Sequence, residues 1–257
     1  MQTTTGSFTR AFANAYRDPS LAVLEGFHPA RHALGFGGEL HLAVTYDRPA
    51  LMALAGRLAP DIVPAIEQVL CDVDRPLFDK LSPRSLTSPL LSVAARPAAD
   101  LAGPLGDVGR PVVHLETPRD PGNVGAVIRV AAAADVAGVL VSGQVDPWSP
   151  VVLRSATGLQ FAVPVVATEL PLDTGRPIVA VDATGDQLCP SELDPASILV
   201  IGGERYGLPD RIRDVAERSV SLPMRGGVSS LNLATAVAAL LYSWKAGVQE
   251  RTGSDPW

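Results

Sequence analysis

"DPGNVGAVIRVAAAADVAGVLV" spans residues 120–141, and its reading decides the fold. It opens on an Asp-Pro-Gly-Asn turn, runs through a short apolar helix that carries one arginine, Arg129, and closes on a strand. Asn123, flanked by Gly122 and Gly125, makes a tight turn at a helix N-terminus, a place suited to an anion or a polar backbone contact. Arg129 follows near one helical turn later. Working outward, apolar strand-like runs recur at "PVVHLE", "AGVLVSG", "PIVAVDA", "SILVIGG" and "SVSLPM", separated by helix-compatible segments. That alternation predicts an α/β fold with a mostly parallel sheet flanked by helices on both faces.

Ahead of this region, "RPAADLAGPLGDVGRP" (96–111) gathers Pro, Gly and Ala without apolar periodicity and reads as a linker. Earlier still, "LAVLEGFHPARHALGFGGELHLAVTY" (21–46) predicts a strand, a helix entered through Pro29, a stop at Gly37-Gly38 and a second strand; "SPLLSVAARP" (88–97) supplies a later one. A helix around residues 7–17 precedes them. The expected division is a small α/β domain over residues 1–97, a linker over 98–110, a second α/β domain over 111–250 and a tail over 251–257.

The 257 residues are 47% hydrophobic and 19% charged, the balance of a folded globular chain. No apolar run approaches the roughly 18–20 residues of a membrane span, and "MQTTTGSFTR" has no basic start followed by an apolar core. A cytoplasmic protein without membrane contact is expected. Cys71 and Cys189 lie in unrelated contexts, so neither a metal pair nor a disulfide framework is expected. His28 and His32 stand four apart, but with no further ligand beside them they read as packing or surface residues, and no metal is expected. The formal net charge of −6 argues against a surface that grips nucleic acid throughout. The acid excess is local, however: residues 1–99 carry nine Lys/Arg and nine Asp/Glu, residues 100–257 twelve and eighteen. A basic cleft is compatible with that distribution.

The usual nucleotide and hydrolase motifs are absent: no strand leads into G-x-G-x-x-G, and there is no G-x-x-x-x-G-K-[ST] loop or G-x-S-x-G elbow. Three polar loops stand in their place, each at the C-terminal end of a predicted strand, where open α/β sheets bind ligands. The first is "HLETPRDPGNVGAVIRVAAAADV" (114–136). In the second, "LVIGGERYGLPDRIRDVAERSVSLPM" (199–224), a strand ends in Gly202-Gly203, the carboxylate Glu204 follows, and Gly207-Leu208-Pro209 starts a helix. In the third, "RGGVSSLNLATAVAALLYSW" (225–244), Ser229 or Ser230 caps a long apolar helix whose first turn carries Asn232.

In order and spacing these loops resemble the three motifs of the SpoU (TrmH) family of RNA 2′-O-ribose methyltransferases, within the SPOUT superfamily, over residues 110–247. "VLRSATGLQFAVPV" (152–165) resembles the family's stretch between motifs, with Arg154, Ser155 and Gly158 at matching positions. "LEGFHPARHAL" (24–34) resembles the L30e-like substrate-binding domain that many members carry at their N-terminus. The resemblance implies a C-terminal trefoil knot, a rare exception to the rule that chains do not thread loops. It also implies S-adenosylmethionine bent within that knot, RNA as substrate, and a homodimer that builds each active site from two chains. By position, Gly202, Leu222 and Leu231, with Met224 and Thr184 of "VDATGDQ", contact the cofactor largely through backbone atoms. Arg129 takes the central role, Asn123 and Asn232 fix loop and substrate geometry, Ser230 supports them, and Glu204 orients Arg129 or a substrate hydroxyl. RNA contacts fall to Arg129, Arg154 and Ser155, and to Arg10 and Arg17 in "SFTRAFANAYR", a helix that equally suits dimer or domain packing.

A guanidinium stays protonated far above neutral pH and is a poor base. Arg129 is therefore expected to bind the phosphate next to the target ribose and to stabilise the developing alkoxide, with base action through phosphate or water left open. Taken singly, Arg129 reads as a surface arginine and Asn123 as a turn residue; their coincidence with two further motifs weighs against both. Ser230 is a cap or a site support with equal weight. Glu204 is a solvated acid or a functional one, and its place between glycines at a strand end favours function. Gly122-Asn123-Val124-Gly125 also fits the GXXG pattern of KH loops but reads better as a turn. "RIRDVAER" (211–218) is a solvated helix face or a set of arginines that touch RNA. The chain departs from the family at Gly203, where many members have Asn, and at "ERYG"; Tyr206 either stacks on a base or packs. The favoured function is S-adenosylmethionine-dependent RNA 2′-O-methylation, ribosomal RNA ahead of transfer RNA. Its rival is a catalytically silent knotted RNA-binding or assembly protein, which the intact Asn123, Arg129, Glu204, Ser230 and Asn232 oppose.

Overall fold

The computed structural model describes residues 5–82, 84–98, 100–187, 193–203, 205 and 207–252; Glu204, Tyr206 and Cys189 lie outside them, as does the tail beyond Thr252. From the N-terminus, α1 (Thr5–Ala15) leads to β1 (Leu21–Glu25), α2 (Phe27–Gly35), β2 (Leu40–Thr45), α3 (Arg48–Leu58), α4 (Val63–Val69), β3 (Leu70–Asp72), α5 (Arg75–Leu81) and β4 (Leu91–Ala95). There follow α6 (Ala102–Gly106), β5 (Val112–Glu116), α7 (Pro121–Ala133), β6 (Gly138–Val141), α8 (Pro150–Ser155) and β7 (Val165–Ala167). The chain then runs through β8 (Ile178–Gln187), β9 (Ile198–Gly202), α9 (Asp210–Val215) and β10 (Arg218–Ser221) to α10 (Leu233–Thr252).

Two compact units result. The first runs to Ala98 and also takes in Trp148–Ala162. Its four strands lie in the order β1-β4-β2-β3, antiparallel except for the parallel β2–β3 pair. The period-2 alternation of strand side chains feeds two cores. Leu24, Ala43 and Ala94 join Phe27 and Leu51 on one face, while Val23, Val44 and Val93 join Phe8, Phe12 and Phe78 on the other. The helices α3 and α5 went unread in the sequence although both begin with the same tripeptide, Asp-Arg-Pro. Asp47 accepts from the Ala50 N–H at 3.0 Å and Asp74 from the Leu77 N–H at 2.8 Å, each with a proline in the first turn.

The expected boundary kept residues 148–162 in the second domain, and the structure moves them. Trp148, Leu153 and Phe161 pack into the same core as Phe27 and Ala30. Gly158 permits the approach, since a Cβ there would meet the Cα of Pro29 at 2.8 Å.

The second unit holds a six-stranded sheet in the order β10-β8-β9-β5-β6-β7, every pair parallel. The predicted parallel sheet is present, with β7 as a short sixth strand that the sequence reading passed over. Strands β5 and β6 are buried along their whole length, the reason they read as continuous apolar runs. Val112, Leu140, Ile198 and Val200 share a core with Leu208, Ile212 and Leu105. Val113, Leu115, Val139 and Leu199 alternate to the other face and are equally buried, and α7 packs on β6 and on α10. The expected linker is built into this unit: it forms α6, and the buried Arg176 guanidinium donates to the carbonyls of Pro104, Leu105, Asp107 and Arg110 at 2.7–3.3 Å.

Candidate active site

A cleft of about 660 Å³ opens at the C-terminal ends of β8, β9 and β10, within the range of small-molecule sites. Backbone crowding shapes it. A Cβ on Gly202 would collide with the Gly207 carbonyl carbon, and one on Gly203 would lie 2.6 Å from the Thr117 carbonyl oxygen. Thr117 itself sits at φ 47. Glycine at 203 thus has a local cause, because a side chain there collides with the end of β5. The loop after β9 closes through a 3.1 Å hydrogen bond from the Gly207 N–H to the Gly203 carbonyl. On the other side, the β8–β10 register jumps from Ala180↔Ser219 to Asp186↔Val220. Residues 181–185 leave that ladder, and Val181, Asp182 and Ala183 join the cleft wall.

Two helices begin beside the cleft. Asp120 caps α7, accepting from the Gly122 N–H at 2.6 Å. Asn123 therefore lies inside the first helical turn, not in a turn ahead of the helix. The cap of α10 is Asn232 in place of the expected Ser229 or Ser230: its Oδ1 accepts from the Ala234 N–H at 3.0 Å and the Thr235 N–H at 3.3 Å. Its Nδ2 donates to Asn123 Oδ1 at 3.0 Å, joining the N-terminal turns of the two helices. The positive ends of both helix dipoles thus meet where Asn232 forms part of the cleft wall.

Of the expected cofactor residues, Gly202, Leu222, Met224 and Leu231 line the cleft, and Ser230 lines it with them. Thr184 does not. It is exposed, and its N–H and Oγ1 donate to Asp182 Oδ1 at 3.0 and 2.8 Å, so that Asp182 is the polar side chain the cleft receives from this segment. Asp182 Oδ2 accepts from Arg213 at 2.8 Å. Burial opposes ionisation of Asp182, but hydrogen bonds from Thr184 and Arg213 outweigh it and hold the carboxyl below its ordinary range. Arg129 is exposed on α7, forms no hydrogen bond or ion pair with another described residue, and is not among the cleft-lining residues. Glu204 lies outside the described residues.

In the first unit, Arg10 and Arg17 are exposed and Ser155 is half-buried at the end of α8. Arg154 is drawn into an ion pair and is 30% exposed. Its Nη1 donates to Glu25 Oε2 at 2.6 Å, so it serves the interior of this unit. His32 Nδ1 lies 2.6 Å from the Thr157 carbonyl, a packing role in line with the sequence reading.

The profile of the SpoU rRNA Methylase family matches residues 110–242, more than half of the chain. The chain belongs to that family. This SpoU chain is 35% identical over 159 residues to the 23S rRNA (uridine(2479)-2′-O)-methyltransferase of Streptomyces viridochromogenes; the match covers 56% of the chain and 55% of that protein, so the chain spans about half of this relative. It is 28% identical over 228 residues to the 23S rRNA (guanosine(2553)-2′-O)-methyltransferase RlmP of Bacillus subtilis, covering 86% of each. Its fold matches the crystal structure of the SpoU methyltransferase AviRb from Streptomyces viridochromogenes in complex with the cofactor AdoMet, with a TM-score of 0.76, 25% identity, and 96% and 99% of the two chains covered.

Two polar residues of this SpoU chain escaped the sequence reading, Asp182 and Glu116. Glu116 ends β5 and is buried, accepting from His114 Nε2 at 3.1 Å, Ser142 Oγ at 3.2 Å and Arg211 at 2.5 Å. The hydrogen bond from His114, then the charge of Arg211, hold its carboxyl below the ordinary range against the pull of burial. A common signal marks both residues: each is the first acid after an apolar run in a parallel strand, at the end of the sheet where ligands bind.

Proposed function

We propose that this protein transfers a methyl group from S-adenosylmethionine to a ribose 2′-hydroxyl of ribosomal RNA. The cleft beside the joined Asn123 and Asn232 carries the proposal. Its lining suits the cofactor: Ile201, Leu208, Leu222 and Leu231 offer an apolar bed for a purine, and Gly202 and Gly203 leave backbone polar groups uncovered by side chains. The relatives' names, 23S rRNA 2′-O-methyltransferases, support the same reaction and the ribosomal substrate.

When bound, S-adenosylmethionine supplies a methyl group already activated by its sulfonium. The chain's task is to hold the ribose oxygen in line and to help its proton leave. Asn123 and Asn232 fix the geometry at the mouth of the cleft, Ser230 supports them from its wall, and Glu204 orients a guanidinium or the hydroxyl. Arg129 binds the phosphate beside the target ribose and stabilises the alkoxide as it forms. Arg129 is exposed and lies off its own cleft, and we assign it to the cleft of a second copy in a homodimer. The C-terminal segment that supplies the cleft loops is inferred to form a trefoil knot. The first unit is inferred to be an L30e-like module that holds folded RNA, with the exposed Arg10 and Arg17 on its surface and Ser155 beside them in role. The cytoplasm, where ribosomal RNA is modified, is the proposed location.

Incubation with radiolabelled S-adenosylmethionine and either protein-free ribosomal RNA or transfer RNA tests this. Label mapping to a ribose 2′-O position of ribosomal RNA is expected. Absence of label on either RNA, from protein that binds the cofactor, overturns the reaction.

A further inference from the structure

We propose that Arg211 grips a phosphate of the RNA strand entering the active site and that buried Glu116 is its positioning residue, a role that rests on the methyltransferase reading above. The sequence left the arginines of "RIRDVAER" as an undivided face. The structure divides it. Arg213 is held by two carboxylates, Asp182 at 2.8 Å and Asp210 at 2.9 Å. Among the described residues Arg211 meets Glu116 alone, through Nη2 at 2.5 Å, and this side chain is 57% exposed whereas that of Glu116 is 1% exposed.

The geometry anchors the inner edge of a guanidinium and leaves its outer edge in solvent. Glu116 has little freedom of its own, because His114 and Ser142 hold Oε2 while Arg211 takes Oε1. A planar guanidinium carries five N–H donors, and among the described residues one is engaged here. The remaining fork matches the geometry of phosphate oxygens. Its place suits that ligand. Glu116 pairs in register with Gly202 of the cleft, and α9 begins two residues after Leu208 of the cleft wall. Arg211 is not itself among the cleft-lining residues but stands on α9, beside the loop that lines the cleft; over residues 100–257, with twelve basic and eighteen acidic residues, a fixed cation there gives the RNA backbone a point of attachment.

The test compares Arg211→Gln, Glu116→Gln and the double variant with the native chain. Binding to protein-free ribosomal RNA is titrated at several salt concentrations, binding to S-adenosylmethionine is followed by calorimetry, and methyl transfer is measured in the same samples. R211Q is expected to bind RNA about tenfold more weakly, with the slope of log K against log salt shallower by about 0.7–0.9. E116Q keeps the cation but loosens it, so a smaller loss with the native salt slope is expected. Because R211Q leaves a buried carboxylate without its cation, E116Q/R211Q provides a folded comparison and is expected to match R211Q in RNA affinity. Cofactor affinity is expected to stay within about twofold throughout.

Native RNA affinity and salt slope in the double variant overturn the proposal, as does a parallel loss of cofactor affinity, which would make the pair a brace for the cleft. Failure of the native chain to methylate any RNA would sink the reaction instead, while the RNA titrations still judge Arg211.

Discussion

Among the described residues two buried glutamates end strands, one in each unit, and each meets an arginine. Glu25 closes β1 and takes Arg154 at 2.6 Å; Glu116 closes β5 and takes Arg211 at 2.5 Å. The carboxylates are alike, 2% and 1% exposed, but the arginines are 30% and 57% exposed. Arg154 belongs to the Trp148–Ala162 segment, and its pair ties that returning segment to the first strand of the unit. Arg211 likewise joins α9 to the buried end of β5, but it keeps more than half of its side chain in water. The same ion pair is a staple where the arginine is drawn in and a mounting where it stands out.

The largest effect is expected at Arg129, which meets no carboxylate among the described residues. Arg129→Ala is expected to lower methyl transfer by about 10²–10³-fold, the scale of losing a donor to a developing oxyanion, with cofactor affinity unchanged by calorimetry. Full activity would remove Arg129 from the mechanism. Next comes the staple. Arg154→Ala strands Glu25 in the interior and is expected to destabilise the first unit by about 2–4 kcal/mol in denaturant titration, with RNA affinity of the folded protein preserved. Weakened RNA binding at native stability would reverse the assignment and restore Arg154 as an RNA contact.

Asn232→Ala follows. Loss of the α10 cap is expected to cost about 1 kcal/mol of stability, and the lost tie to Asn123 is expected to lower transfer beyond what the stability change accounts for. Equal effects on both would reduce Asn232 to a cap. The smallest effect is on pH dependence. The Glu116 carboxyl lies below its ordinary range when folded, so its stabilisation is complete above that range and fades as pH falls through the folded value. Acid titration of stability in E116Q is expected to be flatter in that window, and an unchanged profile would show that the mounting is electrostatically idle.

The parallel sheet was legible because its central strands are buried on both faces and read as unbroken apolar runs. The short β7 was not, since three residues carry no period. The apolar face of 148–162 announced burial, but nothing in Trp148, Leu153 or Phe161 says which core receives them; only the fit of Gly158 against Pro29 decides it. Of the residues read from the loops, Gly202, Leu222, Met224 and Leu231 line the cleft, whereas Thr184 does not and Asp182, two residues earlier, does. Spacing places the α10 cap at Ser229 or Ser230 because serine is a good cap; the hydrogen bonds give that place to Asn232, two or three residues on. Glu116 was hidden for a similar reason, since its meaning depends on His114, Ser142 and Arg211 arriving from three other positions in the chain.

The Asn123–Asn232 hydrogen bond spans the cleft wall and the first turn of α7. Asn232 belongs at once to the cap of α10 and to the cleft wall, and Asn123 belongs to the first turn of α7. A ligand that orders one side of this bond lowers the conformational entropy left to lose on the other, so in the proposed reaction cofactor and RNA are expected to bind cooperatively. Such coupling is reciprocal: the factor by which cofactor tightens RNA equals the factor by which RNA tightens cofactor.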